Sequence, residues 1–515
     1  MKRLSAAVAA VALLSACGST VQVKATGVAG GAGDGLSAPG TSGTSQGGSP
    51  LASSPTGSST GRSAPGSSGT GTSVSGPSGP GGATGGSVTG GGTTGAAIAG
   101  RGPESGRGFT KTTISLGVAT ANDYNTFVGS TGLKGVSYEG DTRVWFQAAV
   151  NQINAHGGLL GRKVVLVPHD FSTAQELSDT ASANQAACVT WTQDHPVYAV
   201  LFAGFIVDDT LLKCLDKAQT PLIFPGAGLD YPLHYRQTYK QYPLFFNLAQ
   251  MVGDDFDRVS IARLNARGFF TPWDTRNGKP AGATTPVRIG IVGFDDPDGA
   301  IQIASEKKQL AANHLPEPTV VQCPRSLQNK ISCEQSTVLK FAAGGITHVF
   351  GADTTFMKNA SSQGYRPRYW IAVQAALFAA NVSADQMTGA MSENYVPFTD
   401  VDAAHYPGDP TPATTICKKL MKAAGQGSTD PNTLDLQMSV CDEFFFVQAA
   451  VAKVGYLGPG ALRAGMEALG SSEQSALTWT TFLGPNQHTS VTGLRDIAYV
   501  ADKGTFVYVS TKNYS

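Results

Sequence analysis

The sequence carries no net charge. Its 37 Lys and Arg balance 37 Asp and Glu, so neither nucleic acid nor an anionic membrane would hold it by charge. It also lacks the short motifs that carry chemistry. There is no HExxH pair for a zinc hydrolase and no GxxxxGK(S/T) loop to cradle phosphate. No CxxC occurs, and no histidine stands at ligand spacing from a cysteine, which removes the common zinc frameworks. The eight histidines are scattered. His169 beside Asp170 is the suggestive pair, but it ends a strand pattern, where neighbouring side chains point to opposite faces. Asp295-Asp296-Pro297-Asp298-Gly299 imitates a calcium loop. Setting Gly299 at the invariant glycine puts Phe294 at the first ligand position and Ser305 at the last, so the motif fails. No metal site and no cofactor is expected, and a surface hydrolase has no catalytic constellation to rest on. Beyond the first residues, no apolar run reaches the length of a membrane span.

What the chain does have begins with a targeting segment. Lys2 and Arg3 precede a short apolar run at 6–14, and Leu14-Ser15-Ala16-Cys17 matches the lipobox of bacterial lipoprotein signal peptides. That resemblance implies cleavage before Cys17 and acylation of its thiol, leaving residues 1–17 as signal and the mature chain held by lipid to the outer face of the cell membrane. An ordinary secretory signal would also export the chain. Residues 18–108 are Gly, Ser, Thr, Ala and Pro with almost no large apolar side chain. They cannot bury enough surface to offset the entropy of ordering. The stretch reads as a flexible tether with a root-mean-square span of roughly 50 Å.

The globular part starts near Phe109. About 400 residues exceed one comfortable core, so two lobes are expected. The organising stretch is 147–170, QAAVNQINAHGGLLGRKVVLVPHD. It reads as a helix over 142–155 capped by Asp141, a stop at Gly157-Gly158, a turn at Gly161-Arg162, and a strand over 163–168. The unbroken run Val164 to Val167 predicts a strand buried on both faces of a parallel sheet. Strands at 114–118, 198–202 and 221–224 alternate with helices at 174–191 and 208–218, and a polar loop covers 119–124. Residues 244–248 read as an extended connector. The pattern restarts with a helix at 254–267, a surface loop at 269–286, and strands at 287–292, 319–322, 347–350 and 368–372. A helix over 439–454 follows, capped by Ser439 and stopped by Gly455, with Asp442 and Glu443 near its start. A hairpin at 495–509 closes the chain. Alternating strands and helices predict doubly wound parallel sheets, with ligands beyond the carboxyl ends of the strands. Six cysteines remain in an oxidising compartment. Neighbour pairing, Cys188–Cys214, Cys323–Cys333 and Cys417–Cys441, is the simplest of the connectivities they allow.

The block at 149–170, with Ile153-Asn154, Gly157-Gly158, Gly161-Arg162 and Asp170, closely resembles the first helix–strand unit of the branched-chain amino acid (leucine/isoleucine/valine) binding proteins. These are the extracytoplasmic receptors of ABC importers, with a type I periplasmic-binding-protein fold. Looser similarity runs from Thr112 to the end of the sequence. It includes the cysteine pair around the third strand, the Pro-Gly-Ala after the fourth, and the Gly, aromatic, Asp…Gly start of the second lobe. The resemblance implies two Rossmann-like α/β lobes joined by a multi-crossing hinge, here 109–245 plus 375–490 and 246–374 plus 491–515.

It also implies ligand-contact positions, and several depart from the family pattern. Where a small hydroxyl residue follows the third strand, this chain has Phe205 and Ile206. After the fourth strand, Gly226, Ala227 and Gly228 keep the backbone N–H groups for a carboxylate but lack the hydroxyl. Asp298 and Asp353 stand where aromatics are usual. Gln374 stands where a carboxylate usually meets the ligand ammonium. Tyr124 and Phe205 would line a more apolar pocket, while Trp370, within a strand, reads as core. Asp298 or Asp353 would have to supply the anion that an amino acid needs, because a buried unpaired charge costs several kcal/mol. The expectation is a non-enzymatic, monomeric, lipid-anchored receptor. It would capture an amino acid or a less polar small solute between its lobes and deliver it to an ABC permease in the membrane. A sensing module on the same fold, docking to a membrane signalling protein, is the alternative. No nucleic-acid partner is expected.

Overall fold

Strands β1 (Thr113–Ala121), β2 (Lys163–Phe171), β3 (Ala199–Leu201), β4 (Leu222–Phe224) and β5 (Phe245–Asn247) form a parallel sheet in the order β2-β1-β3-β4-β5. A small antiparallel hairpin, β6 (Trp273–Asp274) and β7 (Lys279–Pro280), lies within the expected surface loop. Strands β8 (Ile289–Phe294), β9 (Thr319–Cys323), β10 (His348–Phe350) and β11 (Arg368–Tyr369) form a second parallel sheet, ordered β11-β10-β8-β9. Strands β12 (Met391–Asn394), β13 (Arg495–Val500) and β14 (Thr505–Tyr508) make an antiparallel sheet. These elements come from a computed structural model that describes residues 103–515 except 122, 132, 133, 136, 203–205, 227–233 and 373. The expected signal segment with Cys17, and nearly all of the expected tether, lie outside the described residues.

The unit at 142–171 follows the sequence closely. Asp141 caps the helix Thr142–Ala155 by accepting from the Arg143 N–H. Trp145, Phe146, Ala149, Val150 and Ile153 recur at helical spacing and are buried. At Gly158 (φ 73°) a Cβ would sit 1.9 Å from the Arg162 carbonyl oxygen, so only glycine lets the turn close. Asn154 then ties helix to strand: its amide donates to the Val164 carbonyl (2.9 Å) and its oxygen accepts from the Val164 N–H (2.7 Å).

Four local expectations need correction. β2 is an edge strand with Val165 40% exposed, so its apolar run is not buried on both faces. The segment expected as one helix over 174–191 breaks at Asp179, which leaves helical backbone (φ −147°) and caps the next piece instead. Residues 245–247 form the fifth strand of the first sheet and not a connector. The late helix is Pro431–Val454, capped by Asp430. Ser439 therefore sits in its interior, where its hydroxyl donates to the Asp435 carbonyl (2.9 Å), and Asp442 and Glu443 are buried far from the helix start. Gly455 (φ 74°) does end it.

Each parallel sheet is covered on both faces. Trp145, Phe146, Met438, Phe444 and Val447 join one face of the first sheet to the helices Thr142–Ala155 and Pro431–Val454. Trp191, Phe202, Leu211, Phe224 and Phe245 fill the other. On the second sheet, Phe341, Phe356 and Tyr369 pack with Ala375, Met387, Ile497 and Phe506, while Phe256, Phe269, Phe350 and Trp370 form the opposite layer. The chain passes between these cores three times: after β5, between Tyr395 and Phe398, and between Leu483 and Ile497. Disulfides join Cys188 to Cys214, Cys323 to Cys333 and Cys417 to Cys441, the neighbour pairs. Replacing Cys417 and Cys441 together by alanine should lower unfolding free energy by about 3 kcal/mol, measured by urea titration. An unchanged midpoint would contradict this.

Candidate functional site

The two parallel sheets direct the carboxyl ends of their strands towards shared cavities. Faces covered by helices leave those ends as the place where polar loops and ligand can meet. The first cavity, of about 320 Å³, lies between the end of β1 and the segment after β11. Tyr124 opens the helix Tyr124–Thr131 directly after β1, which corrects the expectation of a polar loop reaching that residue. Its ring stacks on Tyr138 (5.1 Å, 16°), and Tyr138 leans on Trp145 (5.7 Å). Asn125 holds the Tyr138 backbone from both sides, donating to its carbonyl (2.7 Å) and accepting from its N–H (3.1 Å). Gln374, in left-handed backbone (φ 52°), starts the helix Ala375–Asn381 on the facing side. Next to the lining residues Gly135 and Ala380, the side-chain amide of Asn381 pairs with the Lys134 backbone at 2.8 and 2.7 Å.

Three carboxylates line this cavity: Asp402, Asp430 and Asp435, with no Lys or Arg among the described lining residues. Asp402 accepts from His405 Nδ1 (2.7 Å). Asp430 is spent on its cap, accepting from the Thr433 N–H (2.8 Å) and hydroxyl (2.7 Å). Asp435 is 6% exposed, and its Oδ1 has no hydrogen-bond partner among the described residues. Burial alone pushes its carboxyl up to about 7. A smaller cavity beside it is lined by Gly226 (φ 71°), Gln374, Asp435 and Asp400. Asp400 accepts from the Tyr508 hydroxyl, and burial holds it well above the usual carboxylate range, with Asp435 adding to the effect.

The second cavity, of about 550 Å³, also takes residues from both sheets: Ile206 to Asp209 after β3, Asp296 to Asp298 after β8, and Arg325 after β9. The Ile206 backbone is fixed by Glu176 Oε1 on its N–H (3.0 Å) and by Asn184 on its carbonyl (2.9 Å). Arg325 donates through Nε to Asp296 (2.7 Å) and lies 4.0 Å over the Phe294 ring. Its Nη1 has no hydrogen-bond partner among the described residues. Asp298 is pushed up by burial and by Asp296, against the pull of Arg325.

The sequence-derived candidates thus divide. Tyr124 and Gln374 meet in the first cavity, Gly226 and Gln374 in the smaller one, and Ile206 and Asp298 in the second. Asp353 lines none of them. It caps the helix Thr354–Ser362 by accepting from the Phe356 N–H (2.8 Å) and pairs with Lys330 (3.1 Å). Phe205, Ala227 and Gly228 lie outside the described residues. Trp370 is core, stacked on Phe256 at 5.7 Å. Sequence reasoning passed over Asp435, Asp400, Tyr138 and Arg325. Its one available signal was a carboxylate on an otherwise apolar helix, Leu434-Asp435-Leu436.

Solved structures share this architecture. They include a possible leucine/isoleucine/valine-binding protein from Rhodopirellula baltica SH 1 (15% identity, 78% of this chain and 96% of that one, TM-score 0.52). A periplasmic binding protein type 1 from Bordetella pertussis Tohama I gives 13%, 78%, 98% and 0.51. A solute-binding protein of an ABC transporter from R. palustris, in complex with 4-hydroxybenzoate, gives 12%, 78%, 97% and 0.50. No protein-family model matches the sequence, and no curated protein matches it. The likeness is one of fold, and the fold is that of the type I periplasmic binding proteins. It is the fold that the resemblance at 149–170 implies, shared with leucine/isoleucine/valine-binding-like and other ABC substrate-binding proteins.

The Asp435 environment sets a pH dependence. Its folded carboxyl is raised from 3.8 to about 7, so the folded state keeps a proton that the unfolded chain releases. Stability from this group is full below about pH 4 and is lost as pH rises through about 7. Relative to the native chain, Asp435→Asn should gain on the order of 3–4 kcal/mol between pH 4 and pH 8. Denaturant unfolding across that range checks it; a pH-independent difference would contradict the assignment.

Proposed function

We propose that this chain is an extracytoplasmic solute receptor, tethered through a lipid on Cys17, that closes its two α/β layers on a small molecule and presents it to an ABC permease. The observation that carries the reading is the placement of the cavities. Each is lined by segments that follow strands of both parallel sheets, so a bound solute would touch both layers at once. A ligand so placed favours the closed arrangement, and three chain crossings make a hinge that keeps the layers in register. On this reading the lobes are those expected, 109–245 plus 375–490 and 246–374 plus 491–515, except that the return crossing moves to between Tyr395 and Phe398, because Ala375, Met387 and Ala390 pack with the second sheet. Tyr124, Gly226 and Gln374 contact a solute in the first cavity and the smaller one beside it, and Ile206 and Asp298 contact one in the second. Asp353 holds a helix end and not the ligand. The chain works as a monomer and performs no covalent chemistry.

Aromatic lining and a shortage of paired carboxylate clamps favour a solute less polar than a branched-chain amino acid. The fold accommodates such solutes, since the R. palustris protein was solved with 4-hydroxybenzoate. Thermal-shift screening of the mature, disulfide-bonded chain against amino acids, aromatic acids and amines tests the proposal. At least one solute should raise the melting temperature by a few degrees at about 100 times its dissociation constant, from about 2.7 kcal/mol of linked stabilisation. No shift across the library, with a cooperative melt retained, would contradict it.

A further inference from the structure

We infer that the cavity between Tyr124 and the start of the helix Pro431–Val454 takes a compact organic cation, an alkyl- or arylalkylammonium without a carboxylate of its own, and that Asp435 is its counter-ion. The inference rests on the reading of the chain as a solute receptor and names the class of solute.

Two of the three lining carboxylates are already satisfied within the protein. Asp402 is engaged by His405 and Asp430 by the Thr433 backbone and hydroxyl. Asp435 is the uncommitted one, more than nine-tenths buried with Oδ1 unpartnered among the described residues. An ionised carboxylate in that state costs several kcal/mol unless it is paired. No lysine or arginine is among the described residues that line the cavity. A ligand ammonium supplies both the charge and up to three donors.

The absence of cationic lining also decides against an α-amino acid. Its carboxylate would find no positive partner and would lie within reach of three acids, a repulsion that grows as water is excluded. The remaining walls suit the body of a cation. Tyr124 and Tyr138 form a stacked aromatic pair, and Leu377 and Phe398 close the apolar side. Ring faces attract cations within about 6 Å of the centroid. A volume of about 320 Å³ is at the small end of the roughly 300–1,000 Å³ typical of small-molecule sites. It suits a ligand with one charged end.

Isothermal titration of the mature protein at neutral pH tests this. The probes are butylammonium, hexylammonium and 2-phenylethylammonium, against 3-phenylpropanoate and phenylalanine. At least one ammonium should bind saturably at one site per chain, while 3-phenylpropanoate and phenylalanine give no heat. Asp435→Asn, checked for an intact melting transition, should weaken the ammonium by about thirtyfold or more. Equal or tighter binding of the carboxylate probes, or an Asn variant that binds the ammonium unchanged, would overturn the inference while leaving a solute receptor. If no ammonium binds but another solute in a broader library does, the inference also falls and the receptor remains. If no solute of any class binds, both fall.

Discussion

Parallel sheets impose one constraint from which the rest of this molecule follows. Their crossover helices cover both faces, so the only open, polar ground is the row of loops at the strand ends. Here that holds twice. Apolar layers seal the first sheet from both sides and the second sheet likewise. What remains exposed to a solute is the set of segments after β1, β3 and β4 on one side and after β8, β9 and β11 on the other. The cavities lie there, and nearly every candidate contact comes from one of those loops or from the helix Pro431–Val454 that returns alongside them.

That returning helix gives the cleft its character. Its outer half is an ordinary buried helix, with Phe444, Val447 and Val451 in the core. Its first turns bring Asp430 and Asp435 to the cavity wall. Asp430 is absorbed by capping, a local use that costs the site nothing. Asp435 has no such use and is buried at the expense of stability. Strained or unsatisfied groups persist where the surroundings over-determine them, and they gather at functional sites. Acids line both cavities, but among the described residues only the second also carries cations, Arg325 and Lys330.

Much of the fold was legible in the residues. The stretch 142–171 encodes a cap, an apolar face, a glycine stop and a strand, and each forms where the pattern puts it. The neighbouring cysteines pair, and the terminal hairpin turns at Gly504. What was missed has physical reasons. The exposure of Val165 depends on β2 lying at a sheet edge, which no local period reveals. The strand at 245–247 is three residues long and is defined by its partner β4. Apolar spacing in the late helix is clearest beyond Ser439, which masks its true start. The Asp430-Pro431 start, an acidic cap before a proline at the first helical position, was the better signal. Of the residues lining the candidate cavities, Tyr124, Gly226 and Gln374 were readable from their positions after strands. Asp435 was not, because its meaning depends on which residues the folded chain places around it.

The most direct measurement of the central claim is a crystal structure of the mature chain carrying the solute it retains when purified from its host. The account predicts density between the two parallel sheets, touching residues after strands of both and meeting Asp435 with a positively charged nitrogen. A solute seated on one layer alone, or bound away from the strand ends, would contradict it.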